Sequence, residues 1–350
     1  MSKVENSNVE NSEWLQFAVI WGNFDEETMN LLKIWDRFKE VGFDQIQEIP
    51  TNDAIASFYL ALLAFNTDHI EAALSFSQKA LTQAPANPLY VQATTYLRNV
   101  LKHGKKSVYV SASGFSEFIR GGGNTLLYQA VTKALRNIYH QYSSLTVLDI
   151  GVGDGLAMLP ALTTNICHVD VIEPSKTMLD HVRRELKRLN VSHQAFPSTL
   201  QDFVKSPPKK SWDVIQSTFC LQSIAPEERA SLFKWMANTG SRLIIVEFDV
   251  PEFPDQCSPD RVKYITERYK NGLAEYSENQ DLVAQEFLIP VLFGYFDRTS
   301  ARTNFEHPIQ EWIVQLRNAG YQTIECLDLY SYWWAPSMLI DAMPPRRIVP

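Results

Sequence analysis

The chain has 350 residues, 45% hydrophobic and 12% aromatic. Such a length exceeds the roughly 250–300 residues at which a single core stops growing, so two domains are expected. A formal net charge of −8 argues against nucleic acid, which needs a basic face. No run approaches the roughly 18 apolar residues of a membrane span. The N-terminal MSKVENSNVENSEW lacks an apolar signal region. Cys167, Cys220, Cys257 and Cys326 show no C-x-x-C spacing, so free thiols in a cytoplasmic protein are expected, with neither a disulfide framework nor a metal site.

Residues 1–12 are polar and read as disordered. Residues 13–42 carry helical spacing in Trp14, Leu15, Ala18, Val19, Met29, Leu31, Leu32, Trp35 and Phe38, with Gly42 as the stop. Within 54–87, Leu60, Ala61, Ala73, Ala80 and Pro85 fall where a tetratricopeptide repeat places its small residues and closing proline. The position usually filled by an aromatic is Ser57, and one repeat stands where a solenoid needs about three. A partner groove and a short helical cap on the next domain both fit, the cap better. In 107–142, Phe115, Phe118 and Ile119 form an apolar edge. Arg120-Gly121-Gly122-Gly123-Asn124 reads as a flexible turn, and Asn124 or Thr125 is the expected cap of the next helix.

The stretch Thr146 to Gly155, TVLDIGVGDG, is an apolar run broken by alternating glycines, and a helical pattern follows from Leu156 to Leu162. Such glycines let the chain turn sharply and let a ligand approach the backbone, here at a helix N-terminus. The spacing D-x-G-x-G-x-G differs from the G-x-G-x-x-G of dinucleotide sites. Asp154 inside the loop would repel a pyrophosphate, which favours a cationic or zwitterionic ligand. Glu173 closes the next apolar run, where a carboxylate can accept both ribose hydroxyls. Strands are read at 146–150, 168–172, about 193–197, 212–218, 242–248, 322–329 and 337–342, with helices at Pro174–Leu189 and Ile309–Asn318. This alternation gives an α/β chain with a parallel sheet and helices on both faces.

Through the D-I-G-x-G-x-G loop, Glu173 and the strand order, residues 115–345 resemble a class I S-adenosylmethionine-dependent methyltransferase. The resemblance implies a Rossmann-like seven-stranded sheet with a reversed last strand. The chain then divides into an all-α, partly tetratricopeptide-like domain over 1–105, a cofactor-capping segment over 106–145, and the methyltransferase domain over 146–350 with a substrate-lid insertion at 250–308. S-adenosylmethionine is the implied cofactor. Asp149, Gly151, Gly153 and Gly155 would line its methionine part, Glu173 its ribose, and Pro174 and Ser175 its adenine. Asp202 would meet the adenine amino group, with a backbone N–H from Gln201. Thr218, Phe219 and Cys220 would lie beside the sulfonium, and Arg120 would meet the methionine carboxylate. A helix-start charge is the alternative role for Asp202, and a cap or hinge for the segment of Arg120.

Methyl transfer from a sulfonium is an in-line displacement, so the protein's tasks are to align the nucleophile and exclude water. A base is needed only if the nucleophile arrives protonated. Gln222-Ser223 stand where many relatives place histidines, and His307 is the base candidate that remains, though more often such a residue merely starts a helix. The insertion is rich in aromatics, Tyr295 among them, and with Gln222, Tyr332, Trp333 and Trp334 it would wall an apolar or aromatic substrate, although most of the insertion's aromatics are expected simply to form the lid's core. Arg298 or Arg302 would grip a carboxylate, a nucleophile that needs no base. The expected function is methyl transfer to a small-molecule or peptide natural product, on oxygen. Transfer to nitrogen or carbon, a nicotinamide-dependent oxidoreductase and a non-catalytic cofactor-holding scaffold are the alternatives. No nucleic-acid or membrane partner is expected; the N-terminal helices would meet a second copy or another protein.

Overall fold

The computed structural model describes residues 26–105, 112–276, 278–299 and 302–345. The expected polar tail 1–12, the helical positions Trp14 to Val19 and residues 106–111 of the capping segment lie outside these. The chain divides into two compact units, Met1–Glu117 with Phe253–Ser300, and Phe118–Glu252 with Ala301–Pro350. Most of the insertion expected as a lid therefore belongs to the unit of the N-terminal helices.

In that first unit, helix Glu26–Val41 buries Leu31, Ile34, Trp35 and Phe38 on one face. It stops at Gly42, whose positive φ of 76° suits glycine and whose N–H returns to Phe38 O at 2.9 Å. Helix Ala54–Asn66 is capped by the Asp53 carboxylate on Ala56 N at 2.7 Å and is apolar nearly all round, as a central helix must be. Helix Ile70–Gln83 packs back on it, and the small residues Ala61, Ala73 and Ala80 are all fully buried. Ser57 is buried because its hydroxyl bonds Thr51 Oγ1 at 2.8 Å and Gln83 Oε1 at 2.7 Å, tying the start of one helix to the end of the other. Helix Pro88–His103 completes the N-terminal set. Residues 253–300 add helix Pro259–Ala274 and a broken run containing a π-helical turn, Ala284–Leu288. Phe293 from this segment lies against Phe65 (4.7 Å between centroids) and Tyr96 (5.1 Å), and Phe296 O accepts from Asn66 Nδ2 at 2.7 Å. The insertion's aromatics thus fill a core.

The second unit is built on a seven-stranded sheet of order β3-β2-β1-β4-β5-β7-β6. The strands are β1 Leu145–Ile150, β2 Ile166–Ile172, β3 His193–Phe196, β4 Trp212–Thr218, β5 Gly240–Phe248, β6 Thr323–Ser331 and β7 Pro336–Met343. The pairs from β3 through β5 are parallel, and β7 runs antiparallel between β5 and β6. Alternate residues serve opposite faces. Leu148, Ile150 and Ile215 pack with Trp312 and Leu316 of helix Ile309–Asn318 and with Phe233 and Met236 of helix Pro226–Thr239. Val169 and Val171 pack with Leu179, Val182 and Leu186 of helix Lys176–Arg188. Arg242 and Asp341 form a buried bidentate pair linking β5 to β7, at 2.8 and 2.5 Å. Among the described residues no helix is long and apolar enough to cross a membrane.

Two local expectations are corrected. The helix expected at Leu156–Leu162 is absent; after the glycine loop come turns and a three-residue 3₁₀ helix, Leu159–Ala161. Pro160 withholds an N–H from any longer helix, and Gly155 at φ 84° breaks its start. The loop therefore opens on turns and not on an α-helix N-terminus. Likewise Asn124 does not cap its helix, Asn124–Tyr139. It is that helix's first residue, with no side-chain cap at Gly123. Its Nδ2 donates instead to Phe118 O at 2.8 Å, and its Oδ1 accepts from the Tyr332 hydroxyl at 3.1 Å.

Candidate active site

The carboxyl ends of β1, β2, β4 and β5 bring the chemistry together, where ligands bind in such sheets. Three loop glycines share positive φ, 66°, 58° and 84° at Gly151, Gly153 and Gly155, for three different reasons. A Cβ on Gly151 would stand 2.1 Å from Cys220 Sγ, so this turn packs against the residue that follows β4. A Cβ on Gly155 would meet Leu159 Cδ1 at 2.5 Å. A Cβ on Gly153 would meet nothing within 4 Å. Gly153 is the point where the loop's backbone faces open space.

Two acids bracket this turn. Asp149, in β1, is fully buried, and its Oδ2 accepts from Gln216 Nε2 at 2.9 Å. Gln216 is oriented in turn by the Tyr139 hydroxyl, which donates to its Oε1 at 2.6 Å. Asp149 Oδ1 has no partner. Burial pushes the carboxyl up to about 7; the Gln216 bond opposes this and nearby Glu173 reinforces it. Glu173 follows β2, its Oε2 accepting from Gly153 N at 3.0 Å and its Oε1 from Ser175 N at 2.8 Å. It thereby holds the loop, while each oxygen keeps a lone pair for another donor. Ser175 caps the helix that begins at Lys176, next to Pro174.

Arg120 lies at the loop, its guanidinium paired with the Asp154 carboxylate. Asp202 is exposed, accepts from Lys205 Nζ at 2.7 Å and sits at the start of the short helix Leu200–Phe203, capped by Thr199. Its carboxyl is held below the usual range by the Lys205 and Thr199 bonds. Gln201 Nε2 donates to Glu228 at 3.1 Å.

Past Thr218 at the end of β4, Phe219 adopts φ 53°, a left-handed conformation rare for a bulky residue. Its N–H is fixed to Val246 O at 2.8 Å, and its ring stacks on Phe248 at 4.6 Å. Phe248 stacks on Tyr332 at 5.3 Å, and Tyr128 meets Phe219 edge-on at 6.0 Å. Trp333 and Trp334 continue the row, and Trp334 Nε1 donates to Glu306 at 2.7 Å. This is an aromatic wall beside the strand ends. The Cys220 thiol is pushed up to about 12 by burial and by Glu247, Glu173 and Asp149, so it stays protonated and inert as a nucleophile.

Glu247 of β5, with Arg229, Gln222 and His307, makes a further polar group. The Glu247 carboxyl is pushed up to about 8 by burial, against the Gln222 N–H bond (3.2 Å) and the Arg229 charge. His307 is lowered by burial and by Arg229 and Arg302. Arg302 is exposed, with Nε on Asn304 O at 2.7 Å. Tyr295 and Arg298 belong to the first unit, where Arg261 lies 5.4 Å over the Tyr295 ring and Arg298 reaches Asp255 at 3.6 Å. Sequence reading did not find Tyr139, Gln216, Arg229 or Glu247. Glu247 did carry a signal, since like Asp149 it is an acid set inside an apolar strand run. Among the described residues no cluster of His, Cys, Asp and Glu is arranged to hold a metal.

Sheet order, reversed seventh strand and a glycine turn held between two strand-end acids define a class I methyltransferase domain using S-adenosylmethionine. A family model described as a methyltransferase domain matches residues 147–239, from β1 to the end of helix Pro226–Thr239. Among solved structures the chain is similar to magnesium protoporphyrin IX methyltransferase (ChlM) from Synechocystis PCC 6803 with bound SAH, at 13% identity and TM-score 0.44, over 67% of this chain and 96% of that one. It is also similar to the methyltransferase domain of bacterial CtHen1, at 12% identity and TM-score 0.41, over 63% and 100%. The cyclopropane synthase MmaA2 from Mycobacterium tuberculosis is similar at 14% identity and TM-score 0.39, over 56% and 62%. No curated protein matches the sequence.

Proposed function

We propose that this enzyme methylates an oxygen of a small-molecule or peptide natural product that carries an apolar or aromatic body. One pairing carries the cofactor half of this reading: the unpartnered, buried Asp149 Oδ1 at one end of the glycine turn and the open backbone at Gly153 within it. An ammonium group suits the first, and a sulfur-bearing chain lying on the loop suits the second. Glu173 has lone pairs left for ribose hydroxyls. When bound, S-adenosylmethionine supplies an electrophilic methyl group. The chain's own residues bind, orient and exclude water.

The aromatic wall from Tyr128 to Tyr332 supports an apolar or aromatic acceptor. Oxygen is favoured because the basic groups nearby are poor bases: His307 is held below its ordinary value and the Cys220 thiol is locked protonated. An acceptor that ionises by itself needs no stronger base. The four unbridged thiols support a reducing compartment, the cytoplasm.

The test is calorimetric titration with S-adenosylhomocysteine on wild type and Glu173→Ala, followed by labelled S-adenosylmethionine with aromatic acids, phenols and amines. Binding lost in the variant, and label in a carboxylic ester or phenyl ether, are the expected results. Label found only in amines would overturn the oxygen assignment. Folded protein that ignores the cofactor product would overturn the rest.

A further inference from the structure

One cluster in the second unit is used neither by the cofactor loop nor by the aromatic wall. It lies where the 3₁₀ turn Leu221–Ser223 leaves β4. Gln222 is pinned there by its backbone: its N–H meets Glu247 Oε1 at 3.2 Å and its carbonyl accepts from Phe305 N at 2.8 Å. Its Nε2 donates to Phe219 O at 3.3 Å. That bond fixes the amide orientation, and Oε1 is left as a buried acceptor with no partner.

Arg229 of helix Pro226–Thr239 is fully buried. Its Nε donates to Ile224 O at 2.7 Å and its Nη2 to Phe305 O at 2.6 Å, and its guanidinium lies 4.1 Å over the Trp312 ring. None of these partners carries a charge. Nη1 has no partner at all. The ring of His307 meets Trp312 edge-on at 6.4 Å, and its Nε2 is also buried without a partner.

These three orphan atoms belong to residues joined through Phe305 and Trp312, close to the strand ends where a methyl acceptor would sit. A buried arginine is ordinarily hydrogen-bonded to a carboxylate; here Glu247 acts on the guanidinium only through its field, burial keeps that carboxyl largely protonated, and no hydrogen bond joins the two. A purely structural arginine would spend its N–H groups, as Nε and Nη2 do here; Nη1 and two neighbouring polar atoms are not spent. Their types are complementary to one kind of ligand. Arg229 Nη1 donates, His307 Nε2 can donate in one tautomer, and Gln222 Oε1 only accepts. Two donors suit a carboxylate. The lone acceptor needs an O–H.

We infer that Arg229, His307 and Gln222 form a subsite for a hydroxy acid, with the carboxylate on the two donors and the hydroxyl donating to Gln222. The inference rests on the methyltransferase reading for its statement that this ligand is the methyl acceptor. Arg302 bonds its own loop and contributes positive field, while Arg229 makes the contact.

The experiment first titrates the whole chain with S-adenosylhomocysteine, then, with and without excess S-adenosylhomocysteine, uses 2- and 3-hydroxybenzoate, benzoate and 3-hydroxybenzamide as probes, followed by ligand-observed NMR. A hydroxybenzoate is expected to bind about tenfold tighter than the amide, the worth of one charge-assisted contact. Arg229→Gln should lose that preference while still binding S-adenosylhomocysteine. Gln222→Leu should bind benzoate as wild type does and lose the extra affinity of the hydroxyl. If Arg229→Gln fails to fold, His307→Gln serves in its place and should weaken every acid while sparing the amide. Absence of acid binding, or equal binding of acid and amide, overturns the subsite. Acid binding without S-adenosylhomocysteine binding would sink the methyltransferase reading and leave the subsite standing.

Discussion

Alanine at each loop glycine separates backbone strain, packing and ligand space. All three positions have positive φ, so any Cβ there costs about 1–2 kcal/mol of strain. At Gly151 the new Cβ would also stand 2.1 Å from Cys220 Sγ and 2.6 Å from its Cβ; at Gly155 it would stand 2.5 Å from Leu159 Cδ1. Overpacking of that kind adds about 1–3 kcal/mol. At Gly153 nothing lies within 4 Å, so strain is the whole cost. Urea unfolding should therefore rank Gly153→Ala as the mildest, losing about 1–2 kcal/mol, with Gly151→Ala losing about 2–5 kcal/mol. Calorimetry should place Gly153→Ala among the most damaged for S-adenosylhomocysteine, weakened at least about tenfold, because its Cβ fills the space a ligand would use. Adding Cys220→Gly to Gly151→Ala should recover the packing loss and leave the strain. Equal stability losses at all three positions would refute the packing argument. Wild-type affinity in Gly153→Ala would refute the cradle.

Glu247→Gln should flatten the chain's stability against pH. The native carboxyl titrates near 8 and the unfolded one near 4.5, so its contribution is complete below about pH 4.5 and lost as pH rises through about 8, about 5 kcal/mol in all at 1.36 kcal/mol per pH unit. Urea midpoints at pH 5 and pH 9 check this, and equal pH slopes in wild type and variant would contradict it. S-adenosylhomocysteine affinity should rise from pH 6 to pH 8 as Asp149, pushed up to about 7, becomes the carboxylate an ammonium needs; calorimetry on Asp149→Asn should show no such rise. Asp341→Ala should cost about 3–5 kcal/mol by stranding buried Arg242, whereas Arg242→Met with Asp341→Leu should cost clearly less in the same unfolding assay.

The sheet was legible because most strands are short runs rich in apolar residues, several of them ended by a charge, glycine or proline, and the observed strands begin and end within two residues of those runs. The two loop acids were legible as the charges within or just after such runs, whereas the reversed last strand came only from the resemblance, since a run of apolar residues does not record strand direction. What failed was local. Leu156 to Leu162 has helical spacing, but Pro160 and the left-handed Gly155 override periodicity. Asn124 has a capping side chain, but tertiary partners at Phe118 and Tyr332 claim it. Most of the insertion's aromatics read as core, but as the lid's own core, since composition does not record which unit a segment joins. Arg229 was hidden most completely. In PEERASLF it looks like any charge on a solvated helix face, and only the fold shows that it is buried against Trp312.

Three carboxyl groups, on Asp149, Glu173 and Glu247, act together on the Cys220 thiol, which packs against Gly151. Two of them hold their protons mainly because burial penalises the charged form, Asp149 up to about 7 with Glu173 adding to the shift, and Glu247 up to about 8 with Glu306 adding to it. For stability alone the arrangement is poor, since buried leucines would do better. It makes sense if the resident ligand is a cation. A sulfonium with an ammonium group would compensate the acids at Gly153, where the loop's backbone faces open space, and its conversion to a neutral thioether would withdraw part of that compensation. The same cluster that weakens the protein at high pH would then favour the methyl donor over its spent product.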